Sequence, residues 1–171
     1  MSHELEEVIR KCSEEIRLDP EDFWAWMARA YAYANNGDYN QAIEDYEAAI
    51  DFQPEWYDGT RNWTGDGGYV WLNRASDNIS KGDFDQAIED CGIAIWLDPK
   101  DCWTWTARGD AWIEAGGATI ERGETYKRKR DYDEAIADYS EAIRLEPKET
   151  YAWMARADAY AAIGDYGKAI K

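Results

Sequence analysis

The side chains of this sequence that could do chemistry are aromatic and acidic, and they recur at regular positions. Four similar segments each begin with an aromatic residue: Trp24, Tyr69, Trp103 and Tyr151. Two helical turns after the last two of these aromatics stand Asp110 and Asp158. Aromatic faces and carboxylates both attract the cationic ends of arginine and lysine. The pattern therefore predicts binding of basic side chains.

The sequence does not indicate a catalytic or metal site. It shows no nucleophile beside a base, no phosphate-binding glycine loop and no cluster of histidines, since His3 is the only one. Cys12, Cys91 and Cys102 lack the spacing of a zinc site. The 36 acidic residues are typical of solvated helix faces. We therefore expect a non-catalytic protein without metal or cofactor.

Charge and composition exclude several other classes of protein. With 171 residues and a net charge of −17, the chain would repel the phosphates of nucleic acids and the anionic surface of membranes. No apolar run approaches the length of a membrane span, and the first residues lack the apolar region of a signal peptide. Three cysteines without a pairing pattern suit a reducing compartment. The expected location is cytoplasmic.

The elements that must position these side chains repeat along the chain. The four prolines close similar segments, "IRLDP", "IDFQP", "IWLDP" and "IRLEP", at Pro20, Pro54, Pro99 and Pro147. The first two prolines are 34 residues apart, and the next two intervals exceed that spacing by 11 and by 14 residues. A period of this length marks an array of units that stack on one another.

Each unit has the pattern of two helices. In the first complete unit Gly37 ends a first helix, Asp38 can cap a second helix, and Pro54 ends the unit. Small residues such as Ala42 and Ala49 recur where helix backbones must approach closely. The sequence therefore predicts an all-α fold in which helix–turn–helix units build an α-solenoid.

The repeated landmarks resemble the tetratricopeptide repeat family over nearly all of the chain. In the first complete unit they are Trp26, Arg29-Ala30, Tyr33, Ala42, Tyr46 and Pro54. In the other units the first landmark, the tryptophan, is Trp71, Trp105 and Trp153. The resemblance implies a solenoid that binds peptide segments in the concave groove of its first helices and carries no chemistry.

The units depart from the family pattern in one regular way. Arginine stands where the family usually has leucine, and an acid repeats in the second helix of each unit. We predict the pairs Arg29–Asp45, Arg74–Asp90 and Arg108–Asp138. The alternative is that each arginine packs its stem against the helix and keeps its head in water. Arg156 is the fourth of these arginines.

The repeat register divides the chain into one array, residues 1–171. Residues 2–19 form a half repeat. Residues 21–54, 68–99 and 100–147 form full repeats, and 148–171 form a partial repeat. Two segments exceed the period: 56–67 joins two units as a loop, and 117–130 falls between the two helices of the third full repeat. The half repeats at both ends could also be joined head to tail between copies.

By resemblance, the groove is lined by a second face of each first helix. The expected peptide-binding residues are Trp24, Met27, Tyr31, Tyr69, Leu72, Trp103, Asp110, Tyr151, Met154 and Asp158. The alternative is that the aromatic residues pack between neighbouring first helices. Some family members clamp a terminal carboxylate with lysine, asparagine and arginine, but only Asn73 fits that set here.

Two functions follow from this pattern. The first is an interaction scaffold whose partner is a protein or peptide with apolar and basic residues, not nucleic acid and not a membrane. The second is a self-assembling structural protein, joined head to tail through its terminal half repeats. Binding of peptides would support the first function, and growth of particles with concentration would support the second.

The insertion at 117–130 carries the one dense basic run of the chain, from Lys127 to Arg130. We expect it to begin as a loop after Gly116 and to continue as an N-terminal extension of the second helix. It is either a solubilising tip or an arm that touches an acidic partner. On this interpretation, deleting 117–130 leaves helix content and melting temperature nearly unchanged, which circular dichroism would measure.

Overall fold

The computed structural model describes residues 3–52, 68–121 and 125–169. The described residues form α-helices and no strands. The helices, in order, are α1 His3–Leu18, α2 Phe23–Asn36, α3 Tyr39–Asp51, α4 Tyr69–Lys81, α5 Phe84–Leu97, α6 Cys102–Glu121, α7 Thr125–Leu145, α8 Thr150–Ala162 and α9 Tyr166–Ala169. Residues 56–67, expected to be a loop, lie outside the described ranges.

The helices stack in chain order as an α-solenoid, which confirms the predicted fold class. Each helix packs on the next one along the chain, so that α2 pairs with α3, α4 with α5 and α6 with α7. The first helix α6 also touches the first helices on either side of it, α4 and α8. First helices therefore lie side by side along one face of the array, where a groove can form.

Local signals set the helix ends. Gly37 ends α2 with φ 85°, in the left-handed region that favours glycine, and its amide donates to the Ala34 carbonyl. The Asp22 carboxylate caps the start of α2 by accepting from the amides of Trp24 and Ala25. Asp38 lies at the expected position before α3, but its side chain makes no cap bond. Instead, the carboxylate of Asp38 accepts from the side-chain amide of Asn36.

The tryptophan and proline landmarks are joined by a hydrogen bond. The indole N–H of Trp26 donates to the Pro20 carbonyl at 2.8 Å. Trp105 and Trp153 donate in the same way to the carbonyls of Pro99 and Pro147, both at 3.1 Å. The bond fixes the chain as it enters a first helix. It explains why the two landmarks recur together in the sequence.

The core is built around small residues that let helices approach closely. Ala30, Ala42 and Ala49 are fully buried in the first complete unit and surround the buried ring of Tyr46. Gly109 takes the place of Ala30 in a later unit, and a Cβ there would come within 2.7 Å of the Tyr139 ring. The close approach of α6 and α7 therefore requires glycine at this position.

The three predicted Arg–Asp pairs are confirmed. In each pair, Nε and Nη2 of the arginine donate to the two carboxylate oxygens of the aspartate, at 2.7–3.0 Å. The pairs are Arg29–Asp45, Arg74–Asp90 and Arg108–Asp138. The aspartate side chains are at most 6% exposed. The bidentate pair offsets the cost of removing both charges from water. The alternative, a guanidinium kept in water, is wrong.

The repeated arginines also contact groups beyond these aspartates. The guanidinium carbon lies 4.7–5.0 Å from the centre of the tryptophan ring one turn earlier in all four units. A second contact reaches back to the preceding unit. Arg29 donates to the Ser13 hydroxyl at 3.0 Å, Arg74 lies 3.6 Å from Glu47, and Arg156 donates to Ser140 at 3.2 Å. Arg29 and Arg74 therefore each join three consecutive helices.

The insertion at 117–130 is more helical than the sequence suggested. The helix α6 does not end at Gly116 but continues to Glu121, and α7 begins at Thr125. The predicted N-terminal extension of the second helix is confirmed, and the predicted loop after Gly116 is wrong. Deleting 117–130 would remove helical residues from both α6 and α7, so the expectation of unchanged helix content is wrong as well.

Asp77 interrupts the core of the second complete unit. The other three first helices have a buried alanine at this register, namely Ala32, Ala111 and Ala159. Asp77 is 6% exposed, and its Oδ2 accepts no hydrogen bond from any residue in the described ranges. Burial raises the pKa of Asp77 to about 6. A carboxylate at this position costs stability that alanine would not.

The Arg29–Asp45 pair gives a direct test of coupling in the core. Removing one partner leaves the other charge buried, so each single alanine variant should be strongly destabilised. The double variant should lose less than the two single losses together, with a coupling of about 1–3 kcal/mol. Urea unfolding of the four proteins measures this coupling.

A matched control for that cycle uses Arg10 and Glu7 on α1. Their side chains are bonded in the same way but are 70% and 58% exposed. Because water screens this pair, its cycle should show no measurable coupling. Simple additivity at Arg29 and Asp45 would contradict the role assigned to the buried pairs.

Replacing Asp77 by alanine should stabilise the protein. The pKa of Asp77 is about 6 in the native state, above the ordinary value of 3.8. Between these values the native state binds more protons than the unfolded state, so stability falls as pH rises from about 4 to about 6. The Asp77→Ala variant should therefore gain up to about 3 kcal/mol at pH 7 and little at pH 4.

Denaturant unfolding at both pH values measures this gain. Glu44→Ala, which removes an exposed acid from α3, is the matched control and should leave the pH dependence unchanged. An Asp77→Ala variant that loses stability at pH 7 would show that the carboxylate is a structural requirement.

Candidate functional site

Seven of the ten expected groove residues are exposed on the first helices. Trp24 and Tyr31 on α2, Tyr69 on α4, Trp103 on α6, and Tyr151, Met154 and Asp158 on α8 are all exposed. Tryptophans of the packing face, such as Trp26 and Trp71, are half-buried against the core. The helical spacing therefore separates an exposed aromatic face from a packing face, as predicted.

A cavity of about 650 Å³ opens on this face between α4, α6, α7 and α8, and we call it the acidic cavity. Its carboxylates are those of Asp110, Glu114 and Asp158. Its walls also carry the tyrosine rings of Tyr132, Tyr139 and Tyr151 and the apolar side chains of Ile79, Ile113 and Met154. None of its described lining residues is basic.

Asp110 organises the centre of this cavity. The Tyr139 hydroxyl donates to its Oδ1 at 2.6 Å, and the Tyr151 hydroxyl lies 3.1 and 3.2 Å from its two oxygens. Burial raises the pKa of Asp110, and the two hydrogen bonds oppose that rise. Asp110 therefore links α6, α7 and α8, and it fixes the Tyr151 ring beside the cavity.

The other two carboxylates of the acidic cavity are open to solvent. Asp158 and Glu114 are both exposed, and neither makes a hydrogen bond or ion pair with another described residue. Their charges are close to Asp110, whose pKa Glu114 also raises. The acidic cavity therefore combines one fixed carboxylate with two carboxylates that a ligand could reach.

A second, smaller cavity lies between α2, α3 and α4, and we call it the Asp77 cavity. Its volume is about 240 Å³, and Tyr31, Asn35, Asn73, Asp77 and Ser80 are among its lining residues. Ser76 lines both this cavity and the acidic cavity, so the two adjoin along the groove.

The cavities contain part of the predicted binding set. Asp110, Tyr151, Met154 and Asp158 lie together in the acidic cavity, and Tyr31 lies in the Asp77 cavity. The other five predicted residues, which line neither cavity, are Trp24, Met27, Tyr69, Leu72 and Trp103. Met27 and Leu72 are half-buried and pack on the core.

The sequence interpretation missed several residues of these cavities. Tyr132 and Tyr139 come from the second helix α7, whereas only first helices were expected to line the groove. Glu114 lies one turn beyond the Asp110 position and was not considered. Asp77 could have been found by aligning the units, because it stands alone among alanines.

Chemistry beyond binding has little support in the described residues. Cys12, Cys91 and Cys102 are free thiols, and burial raises the pKa of Cys91 to about 12, so it is a poor nucleophile. The part of the chain that the structure describes holds no cluster of metal-ligating side chains. Within the same ranges, every helix is too short or too polar to cross a membrane.

Comparison with known families identifies two segments of the chain. Models described as tetratricopeptide repeat match residues 23–55 and residues 120–171. The first segment spans α2 and α3, and the second spans α7, α8 and α9. Both matches contain the Trp, Ala and Tyr landmarks of the repeat.

Solved structures share the same fold. The chain is similar to MamA residues 41 to the end from Desulfovibrio magneticus RS-1, with TM-score 0.78, 15% identity and coverage of 98% of this chain and 81% of that one. For YrrB, described as a TPR protein with an unusual peptide-binding site, the TM-score is 0.71 and the identity 16%, with coverage of 98% and 73%.

A third similar structure is the first TPR of Spaghetti (RPAP3) bound to the HSP90 peptide SRMEEVD. Its TM-score is 0.64 and its identity 23%, and the match covers 85% of this chain and 95% of that one. At these identities the similarity concerns the fold alone. The matched segments and the repeated helix pairs make this chain a member of the tetratricopeptide repeat family.

Proposed function

We propose that the protein is a non-catalytic interaction scaffold that binds a partner segment with apolar and basic residues in its groove. The observation that carries this proposal is the composition of the acidic cavity. Three carboxylates line the cavity beside apolar side chains, and none of the described lining residues is basic. Such a surface attracts cationic side chains and can bury the apolar residues between them.

The geometry supports a division of roles within the acidic cavity. Asp158 and Glu114, which are exposed, can pair with arginine or lysine of the partner. The Tyr151 ring, fixed through Asp110, offers a face for cation–π contact. Met154 is 66% exposed, and its flexible side chain can adapt to apolar residues of different shapes.

Relatives of the same fold support peptide binding at a coarse level. YrrB is described as having a peptide-binding site, and the RPAP3 repeat is described in complex with a peptide. That peptide, SRMEEVD, is acidic. The cavity of this chain is also acidic and would repel it. Only Asn73 fits a carboxylate-binding set, so we propose a basic partner instead.

The alternative of head-to-tail assembly meets a problem of charge. Alignment of the repeats places Lys11 of α1 at the position that Asp45 has in α3. If α1 of one copy packed after α8 of another, Lys11 would approach Arg156. Two positive charges would then lie at the position where the full repeats have an Arg–Asp pair. Their repulsion disfavours head-to-tail assembly.

Neutralising the acidic cavity should weaken binding of a basic peptide. The variant Asp110→Asn, Asp158→Asn removes two of the three carboxylates. We expect the Kd for an acetylated, amidated peptide of alternating leucine and arginine to rise about tenfold at low salt and less at physiological salt. Fluorescence anisotropy of the labelled peptide measures the change.

Two controls make this experiment specific. The variant Asp85→Asn, Glu89→Gln removes the same charge from the exposed surface of α5, outside both cavities, and should leave the Kd nearly unchanged. A peptide with glutamate in place of arginine should not bind. If the wild-type protein and the cavity variant bound the peptide with equal affinity, Asp110 and Asp158 would not belong to the binding site.

A further inference from the structure

The Asp77 cavity contains a buried acceptor without a donor. Asp77 is 6% exposed, and the structure gives its Oδ2 no hydrogen-bond partner among the described residues. The buried aspartates Asp45, Asp90 and Asp138, by contrast, are each held by an arginine. Buried carboxylates are costly unless they are paired, and no described residue supplies the missing donor to Asp77 Oδ2.

Two of the polar side chains that line this cavity each use one donor within their own helix. The side-chain amide of Asn35 donates to the Tyr31 carbonyl at 2.8 Å. The Ser80 hydroxyl donates to the Ser76 carbonyl at 3.1 Å. The Asn35 carbonyl and the Ser80 lone pairs remain as acceptors, and the second N–H of the Asn35 amide remains as a donor. A ligand rich in N–H donors would suit this lining.

The chain itself shows which group fits a carboxylate beside an aromatic ring. Arg29 lies 4.9 Å from the centre of the Trp26 ring and donates twice to Asp45. The same arrangement recurs at Arg74 and Arg108. The Asp77 cavity has the carboxylate and an aromatic residue, Tyr31, which is 62% exposed. No arginine is among its described lining residues.

We infer that the Asp77 cavity binds the guanidinium group of an arginine side chain supplied by a partner protein. A guanidinium offers five donors in a plane, is weakly hydrated, and stacks on aromatic rings, whereas an ammonium is compact and strongly hydrated. The volume of about 240 Å³ suits the end of one side chain, not a folded segment.

This site is distinct from the acidic cavity and goes beyond the proposed function. The two cavities adjoin at Ser76, so an extended segment could place one basic residue in each of them. Either site can nevertheless fail without the other, because Asp77 does not line the acidic cavity and Asp158 does not line the Asp77 cavity.

The test uses single amino-acid amides, which can enter the cavity without the rest of a peptide. Nα-acetyl-arginine amide is titrated into the isotope-labelled full chain, and amide signals are followed by NMR. Nα-acetyl-citrulline amide is the matched control, because it has the same shape without the charge. We expect saturable shifts of the Asn73 and Asn35 side-chain amides with the arginine compound alone.

Two variants assign those shifts to Asp77. Asp77→Ala restores the residue type of the other units, and Asp77→Asn keeps the size while removing the charge. Both should weaken arginine-amide binding at this cavity by at least about tenfold. Asp158→Asn, in the acidic cavity, should leave the Asn73 and Asn35 shifts unchanged.

Several results would overturn the inference. Equal shifts with citrulline amide, or shifts that survive in both Asp77 variants, would show that the carboxylate does not select a cation. Tighter binding of Nα-acetyl-lysine amide would contradict the choice of guanidinium. Shifts confined to Tyr151 and Asp158 would overturn this site and leave the proposed groove intact. The absence of any saturable shift would show that the cavity holds water only.

Discussion

The structure depends on the arginine at the centre of each unit. In the three full repeats its guanidinium contacts the carboxylate of the second helix and the tryptophan ring of its own helix, and at Arg29 and Arg74 it also contacts a side chain of the preceding unit. An apolar residue at this position could fill space, but it could not orient three helices through directed bonds. The charge is tolerated in the core because the bidentate pair satisfies both partners.

The prediction from sequence was strongest where the repeat itself carries the signal. Four aligned units revealed the helix pairs, the small core positions and the Arg–Asp pairs, because a residue that recurs in register has the same neighbours each time. The prediction of the residues that line the acidic cavity was weaker. Tyr132 and Tyr139 reach that cavity from a second helix, and no spacing within a first helix can show this.

The remaining errors come from places where one unit differs from the others. The continuation of α6 through Gly116 and Gly117 contradicts the intrinsic preference of glycine, because the long partner helix α7 packs along it. Asp77 was overlooked because an acid on a charged helix is unremarkable until its burial is known. Departures from a repeat therefore mark the positions where function is best sought.

The uneven strength of the arginine contacts also has a mechanical consequence. Within a full repeat the arginine shares a buried bidentate pair with the second helix, whereas its contact with the preceding unit is a single hydroxyl or a partly exposed glutamate. Packing of apolar side chains, such as Val70 on the core of the first complete unit, carries the rest of the joint between units. Because apolar packing is non-directional, small changes in the curvature of the array would fall at the joints between units, while each helix pair keeps its geometry.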